Sequence, residues 1–225
     1  NEFSTSSEAL IDRLYLNDGR GHFTRSSQIL PTSRYESTSV VCANDFDNDG
    51  DLDLFVGVRS HPFLYGLAVN GYILKNDGQG RFSDVTATVA PSLLNVGMIT
   101  DAAWTDIDND GDADLVIIGD YMPITVLRNE SGSLKQLSGT SFEGSNGWWN
   151  RLVTADVDGD GDIDLIVGNH GLNSRFKASK QKPITTFIND FDKNGTTEQI
   201  LCMYYDNELF PVSLRHDLVA QLPYL

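Results

Sequence analysis

Residues 45–57 read DFDNDGDLDLFVG, an acidic run of nine residues that passes directly into an apolar one. Two further copies follow, DIDNDGDADLVIIG at 106–119 and DVDGDGDIDLIVG at 156–168. Each run has aspartate at positions 1, 3, 5, 7 and 9 and glycine at position 6. Alternating apolar residues follow each run and apolar residues precede it, which is typical of strands. Each copy therefore predicts two strands joined by an acidic loop.

A second element recurs between the acidic loops: a short strand that ends in asparagine, a polar turn and another strand. It reads DRLYLNDGRGHF, GYILKNDGQGRF, PITVLRNESGSL and PITTFINDFDKNGTTEQIL. Asn-Asp-Gly in the first two copies is a turn signal between strands. The acidic loops are spaced by 61 and 50 residues and the asparagines by 59, 53 and 60, a common period of about 57 residues. These asparagines are Asn17, Asn76, Asn129 and Asn189.

Each repeat thus supplies four short strands, the content of one blade of a β-propeller. We expect an all-β fold, a partial propeller of about three and a half four-stranded blades that forms a single domain over 1–225. Rings usually contain ~4–8 blades, so we expect the remaining blades of a longer parent protein, or a second copy of the chain, as partners. The predicted parts are a half-blade at 12–27, blades at 38–87, 99–138 and 150–205, and a helical tail at 212–225.

The acidic charge is concentrated in the loops. The chain has 225 residues, 16 Lys and Arg, 32 Asp and Glu, and a net charge of −16. Eighteen of the 32 acidic residues lie in four windows, 45–53, 106–114, 156–164 and 190–198. So negative a chain is unsuited to nucleic acid or anionic membranes, and no apolar run reaches the ~18 residues of a membrane span. We therefore expect cations at the loops, no nucleic-acid partner and no direct membrane insertion.

The composition of the loops favours calcium. Crowded carboxylates repel one another unless a cation neutralises them. Oxygen ligands without a His or Cys cluster favour Ca²⁺ over Zn²⁺ or Mg²⁺. By analogy with known loops of this type, we predict side-chain ligands at positions 1, 3, 5 and 9 and a backbone carbonyl ligand at position 7. The ligands of these three strong sites would be Asp45, Asp47, Asp49, Asp51 and Asp53; Asp106, Asp108, Asp110, Asp112 and Asp114; and Asp156, Asp158, Asp160, Asp162 and Asp164.

A fourth loop at 190–198 follows the sequence PITTFIND, which aligns with PITVLRNE of the late hairpin in the preceding repeat. We therefore place this loop in the late hairpin of the third blade. It has fewer charges than the others and contains Lys193, so we predict a weaker calcium site. Its candidate ligands are Asp190, Asp192, Asn194, Thr196 and Glu198.

Two other kinds of acidic loop share part of this pattern. An EF-hand needs a bidentate Glu at position 12, where the four loops have Val56, Ile117, Val167 and Leu201 in strand-like patterns. A plain acidic turn without metal could explain one copy of the motif. Three copies with identical offsets and a fourth variant favour metal binding.

The segment ADVDGDGDIDLIVGN and its two siblings resemble FG-GAP/VCBS repeats, as in the integrin α-chain propeller. LYLNDGRGHF and ILKNDGQGRFSDVT resemble the bacterial relatives that also cover the cartilage acidic protein group. The resemblance spans about residues 12–205. It implies a calcium-stabilised β-propeller in a secreted or surface protein, acting in adhesion or ligand binding. The expected location is therefore extracellular, cell-surface or periplasmic.

Two classes of function remain open. The first is a non-catalytic, calcium-dependent module that binds an extracellular protein or glycan. The second is the propeller portion of a polysaccharide lyase or hydrolase. An enzyme should gather acid and base groups in a cleft, whereas the carboxylate clusters here belong to the loops, so we expect a binding module. Trp148 and Trp149 are either a ligand platform, for example for a sugar, or core residues between blades.

Overall fold

The computed structural model describes residues 8–33, 35–171 and 174–222. Residues 223–225 of the predicted helical tail, and residues 1–7 of the predicted domain, lie outside this part of the chain. The described part consists mainly of short antiparallel strands, which confirms the all-β prediction. Its helices are α1 (Thr86–Val89), α2 (Arg215–Gln221) and two 3₁₀ turns (Glu8–Leu10 and Pro91–Leu93). Within it, no helix combines the length and apolar character needed to cross a membrane.

The strands form five sheets in chain order. Sheets 2 and 3 have four strands each and are regular meanders in which sequential strands pair. The other three sheets have two, two and three strands. Sheet 1 contains β1 (Tyr15–Asn17) and β2 (Phe23–Arg25); sheet 2 contains β3 (Ser37–Asn44), β4 (Asp53–Ser60), β5 (Gly71–Asn76) and β6 (Phe82–Asp84); sheet 3 contains β7 (Met98–Thr105), β8 (Asp114–Asp120), β9 (Thr125–Asn129) and β10 (Leu134–Gln136); sheet 4 contains β11 (Trp149–Ala155) and β12 (Asp164–Asn169); sheet 5 contains β13 (Thr185–Asn189), β14 (Glu198–Tyr205) and β15 (Glu208–Pro211).

Each acidic run connects two antiparallel strands. The first three runs join β3 to β4, β7 to β8 and β11 to β12, and the fourth joins β13 to β14. The predicted third blade at 150–205 covers sheet 4 and most of sheet 5, which do not pair with each other. The 15 residues 170–184 separate these sheets along the chain. The division of the chain into blades stays a prediction.

Strand β8 shows how neighbouring sheets share a core. Successive side chains of a strand point to opposite faces, so an apolar run with no polar interruption is suited to burial on both faces. Leu115 and Ile117 join the cluster that includes Phe55 and Ile73 of sheet 2. Val116 and Ile118 instead join the cluster that includes Leu152, with Leu165 and Val167 of sheet 4 packed against it. Sheet 3 is therefore packed between sheets 2 and 4.

Side-chain hydroxyls add hydrogen bonds between these sheets. Ser39 Oγ on β3 donates to the carbonyl of Ile99 on β7 at 2.7 Å. Thr100 Oγ1 on β7 donates to the carbonyl of Trp149 on β11 at 2.6 Å. Both donors precede the first aspartate of their loop by six residues. The same contact thus holds both pairs of neighbouring sheets at the end away from the acidic loops.

The outer face of sheet 4 remains open, whereas that of sheet 2 holds a buried cluster that includes Val56, Val58 and Leu74. Val153 and Ile166 of sheet 4 are 55% and 49% exposed. Closure of the sheets into a ring is not seen among the described residues. The open face of sheet 4 carries apolar side chains like those that are buried where sheets 2, 3 and 4 meet.

Candidate metal centre

The first aspartate of each acidic run organises its loop. The Asp45 carboxylate accepts hydrogen bonds from the backbone N–H groups of Asp49 (3.0 Å) and Gly50 (2.9 Å). Such side-chain bonds to nearby N–H groups stabilise turns. Asp106 and Asp190 repeat this arrangement at 2.9–3.2 Å. In the third loop Asp156 accepts from the N–H groups of Gly159 (2.7 Å) and Gly161 (3.0 Å).

Two positions in each loop have left-handed backbone geometry. The glycines at position 6 have φ of 88–95°, which glycine adopts without a steric penalty. Position 4 also has positive φ, at 59° for Asn48, 57° for Asn109, 79° for Gly159 and 60° for Lys193. Gly and Asn are among the residues that tolerate this geometry best. The two turns fold nine residues back on themselves so that the carboxylates meet.

The aspartate at position 9 joins the loop to the asparagine that the sequence singled out. Asp53 Oδ1 accepts from the backbone N–H of Asn76 at 2.7 Å, and the Asn76 side chain donates to the carbonyl of Leu52 at 3.0 Å. In the next repeat Asp114 Oδ1 accepts from Asn129 N–H at 2.7 Å. Both aspartates are 1% exposed. The acidic loop and the asparagine-led turn of a repeat are therefore hydrogen-bonded to each other, which explains why they recur with the same period.

The structure brings the residues at positions 1, 3 and 9 together in all four loops. In each loop, one carboxylate oxygen from each of the three residues lies within 4.8 Å of the other two, a spacing that could accommodate a metal ion. The four clusters are Asp45, Asp47 and Asp53; Asp106, Asp108 and Asp114; Asp156, Asp158 and Asp164; and Asp190, Asp192 and Glu198.

The predicted ligands at positions 5 and 7 are not part of these clusters. At position 5, one side-chain oxygen accepts from the N–H two residues later, at 2.7–3.1 Å. This holds for Asp49, Asp110, Asp160 and Asn194. At position 7, Asp112 and Asp162 accept hydrogen bonds from the preceding loop. The ligand roles of Asp51, Asp112, Asp162 and Thr196 at position 7 stay predictions.

Two oxygens of the first cluster are buried without a hydrogen-bond partner among the described residues. They are Asp47 Oδ1 and Asp53 Oδ2. Burial raises the pKa of Asp53 to about 6, the N–H of Asn76 opposes this, and the negative charges of Asp47 and Asp49 add to it. Burial also raises the pKa of Asp114. Since an unpaired buried carboxylate is costly, the geometry fits a cation at this place.

The side chain of Lys75 places a positive charge next to the first loop. Its ammonium forms ion pairs with Asp47 and with Asp49, the latter at 3.0 Å. These contacts raise the pKa of Lys75 and lower that of Asp49. Sequence reasoning missed this residue, although its place directly before Asn76 was a usable signal.

Arg128 occupies the same place in the next repeat, directly before Asn129. Its guanidinium lies 3.9 Å from Asp108 and is held by Glu130 at 2.5 Å. The equivalent residue before Asn189 is Ile188. The residue before the asparagine is thus a cation that pairs closely with the first loop, a cation that lies farther from the second, and an apolar residue in the third repeat.

Neighbouring loops are joined directly. Asn48 Nδ2 donates to Asp112 Oδ1 at 2.8 Å, and Asn109 Nδ2 donates to Asp162 Oδ1 at 2.8 Å. In both cases position 4 of one loop meets position 7 of the next. The third loop has Gly159 at position 4, which has no side chain to continue the series.

The two tryptophans proposed as a ligand platform have different environments. Trp149 packs against the core cluster between sheets 3 and 4, and its Nε1 donates to the carbonyl of Ser145 at 3.0 Å. Trp148 lies among Tyr121, His170 and Phe176 at the edge of a cavity. Both side chains are half-buried; Trp149 packs against the core, Trp148 lines the cavity, and a ligand-platform role stays a prediction.

Comparison with known proteins gave a match to a repeat family and a distant similarity to a solved structure. The solved structure is that of an Agrocybe aegerita lectin, described as recognising non-reducing terminal N-acetylglucosamine; it is 16% identical with a TM-score of 0.44. The similarity covers 87% of this chain and 57% of the lectin chain. A search of curated proteins returned no significant match. The family described as FG-GAP-like repeat matches residues 3–56, 63–117 and 106–167, more than half of the chain. The chain therefore belongs to the FG-GAP-like repeat family.

Proposed function

We propose that this chain is a calcium-binding repeat module in which the ions fix the loops that join the strands. The observation that carries the proposal is the convergence of three carboxylates in each of four loops, with ligand oxygens within 4.8 Å of one another. The partnerless buried oxygens of Asp47 and Asp53 support it independently. A bound divalent cation would neutralise those charges where water does not reach them.

Calcium suits these ligands better than other common metals. The clusters offer only oxygen atoms, and flexible loops with several carboxylates match the preference of Ca²⁺ for six to eight oxygens. The side chains at position 5 and the carbonyls at position 7 would complete the coordination. The fourth loop would bind most weakly because Asn194 and Thr196 replace two aspartates.

The proposed setting is outside the cell or in the periplasm. Calcium sites of extracellular modules commonly have Kd values of ~10⁻⁴–10⁻³ M, which match millimolar calcium. Binding to the folded form alone adds RT ln(1 + [Ca]/Kd), about 2.7 kcal/mol at a hundredfold excess over Kd. The chain would then be held in its folded form by the calcium of its surroundings.

Within that setting we propose a non-catalytic module that binds a protein or glycan. The carboxylates of the four loop clusters lie close enough together to act as an acid–base pair, but they are engaged in hydrogen bonds that hold the loops. The open apolar face of sheet 4, with Val153 and Ile166 exposed, would pack against further repeats of a longer protein or against a second copy.

The test is the thermal unfolding of the wild type and two loop variants in chelator and in millimolar CaCl₂. Asp47→Asn removes one charge from the first cluster while keeping the shape of the side chain. Asp51→Asn is the matched control, because its side chain lies outside the cluster and would bind only through its backbone carbonyl. Isothermal titration would count the ions.

We expect calcium to raise the melting temperature of the wild type, with millimolar MgCl₂ giving a smaller increase. The increase should shrink for Asp47→Asn and persist for Asp51→Asn. A wild-type melting temperature that is the same in chelator and in calcium would overturn the proposal. Equal losses in the two variants would assign the effect to total charge instead of to the cluster.

A further inference from the structure

A cavity of about 750 Å³ lies where sheets 3, 4 and 5 approach one another. Its walls include Tyr121 after β8, Trp148 before β11, His170 after β12 and Thr186 on β13. The β11–β12 register places Trp149 opposite Asn169 at this end and Ala155 opposite Asp164 at the other. The cavity and the third acidic loop are therefore at opposite ends of the same hairpin.

Aromatic rings form one side of the cavity. The Trp148 indole makes edge-to-face contacts with Tyr121 (5.5 Å between centroids), His170 (5.4 Å) and Phe176 (5.3 Å). Trp148 and Phe176 are half-buried and His170 is exposed. Thr186 Oγ1 donates to the Tyr121 hydroxyl at 2.8 Å, which fixes that ring. The rings are positioned by packing while part of the aromatic surface stays open to a ligand.

The rest of the lining is mixed and nearly uncharged, with Ala178, Pro183 and Ile184 beside polar side chains. It includes the amides Asn146 and Asn169 and the hydroxyl side chains Ser179 and Thr185. Among the described residues that line the cavity there is no Asp or Glu, and Lys180 is the one Lys or Arg. A single exposed cation makes a poor phosphate site, and the absence of carboxylates disfavours a cationic ligand.

We propose that this cavity binds a neutral pyranose sugar. A sugar ring combines an apolar C–H face, which packs on aromatic rings, with hydroxyls that hydrogen-bond to amide and hydroxyl side chains. The volume lies within the ~300–1,000 Å³ range of small-molecule sites. The inference gives the proposed binding module a ligand class and rests on that part of the proposal, while it uses none of the calcium clusters.

The experiment is a titration of the whole chain, in millimolar CaCl₂, with the methyl glycosides of glucose, galactose, mannose and N-acetylglucosamine. Isothermal titration supplies the affinity, and a change in tryptophan fluorescence that is absent in Trp148→Ala assigns binding to Trp148 among the three tryptophans. We expect saturable binding of at least one glycoside, weakened about tenfold or more in Trp148→Ala through loss of the packed ring. Tyr205→Ala, which truncates a 71% exposed aromatic residue outside the cavity, should bind as the wild type does.

A second variant keeps the test valid if Trp148→Ala does not fold. His170→Ala removes an exposed ring from the cavity wall and should also weaken binding. Failure of all four glycosides to saturate, or unchanged affinity in the folded variants, would overturn the proposal. A chain that responds to calcium but binds no glycoside refutes the sugar site alone, and one that binds a glycoside without a calcium response refutes the calcium proposal alone.

Discussion

The side-chain amide of Asn48 donates a 2.8 Å hydrogen bond to Oδ1 of Asp112, which lies 64 residues later in the chain. Asn48 lies between two aspartates of the first acidic loop, and Asp112 lies between two of the second. The next pair, Asn109 and Asp162, repeats the contact. Neighbouring loops are thus joined where their charges are most crowded, so the geometry of one loop depends on the next.

The first prediction concerns this link. Asn48→Gly removes the hydrogen bond without backbone strain, because glycine accepts the φ of 59° found at this position. Loss of one such bond should lower the free energy of unfolding by about 1 kcal/mol. Urea denaturation in the presence of calcium measures it. Gly159→Asn is the control: it adds an amide at the same position of the third loop, and because the fourth loop has Thr196 instead of aspartate at position 7, this variant should not be more stable than the wild type.

The second prediction concerns Lys75, whose ammonium pairs with Asp47 and Asp49. Replacing it with methionine should have two opposite effects. In chelator, the calcium-free variant should melt at a lower temperature than the wild type, because the carboxylates of the first loop lose the positive charge of the Lys75 ammonium. Calcium should bind that loop at least about fivefold more tightly, because roughly 1 kcal/mol or more of charge repulsion is removed.

Arg128→Met is the matched comparison for Lys75→Met. Arg128 lies 3.9 Å from Asp108 and is also held by Glu130, so its removal should change calcium affinity less. Melting curves with and without calcium give both quantities for each variant. A Lys75→Met protein whose calcium-dependent increase in melting temperature is no larger than that of the wild type would contradict the prediction.

The third prediction uses the glycines that end the apolar part of each repeat, Gly57, Gly119 and Gly168. A Cβ at Gly119 would lie 2.0 Å from the carbonyl oxygen of Met98, and the backbone would have to move. Gly119→Ala should therefore cost at least about 3 kcal/mol of unfolding free energy. A Cβ at Gly168 would find its nearest neighbour 3.8 Å away, so Gly168→Ala should change stability little. Denaturant titration of both variants checks the contrast, and equal costs would refute it.

Local features of the sequence were sufficient for the strands, for the loops and for the convergence of positions 1, 3 and 9. Alternating apolar residues and glycines at fixed offsets determine structure over a few residues, so these features can be recognised in one sequence. The contact of Asn48 with Asp112 depends on how two repeats pack, and no local pattern encodes that distance. The separation of sheets 4 and 5 has the same origin, since it depends on which strands pair in space. The position of Lys75 before Asn76 was visible in the sequence, but its pairing with Asp47 and Asp49 depends on the register of β4 and β5.

The fourth prediction concerns a buried carboxylate away from the loops. Glu36 is 5% exposed and accepts a 2.8 Å hydrogen bond from the Tyr72 hydroxyl, while His61 Nε2 lies 3.6 Å from its other oxygen. Burial raises the pKa of Glu36 above its ordinary value of 4.5, and the hydrogen bond from Tyr72 and the charge of His61 oppose this. Ionisation thus costs more in the folded chain than in the unfolded one. The stability that Glu36 contributes is present while it is protonated and falls as pH rises from about 4.5 through its folded pKa.

Glu36→Gln removes this titration and keeps an oxygen that can accept from Tyr72. The difference in unfolding free energy, variant minus wild type, should therefore grow as pH rises above about 4.5 and then level off. Tyr72→Phe should act in the opposite direction: without the donor, the charged form of Glu36 is stabilised less, so this variant should lose more stability near neutral pH than near pH 4. Urea denaturation in chelator across this range measures both differences. If the plots of unfolding free energy against pH run parallel to that of the wild type for both variants, Glu36 has the same pKa in the folded and unfolded chains and the prediction is wrong.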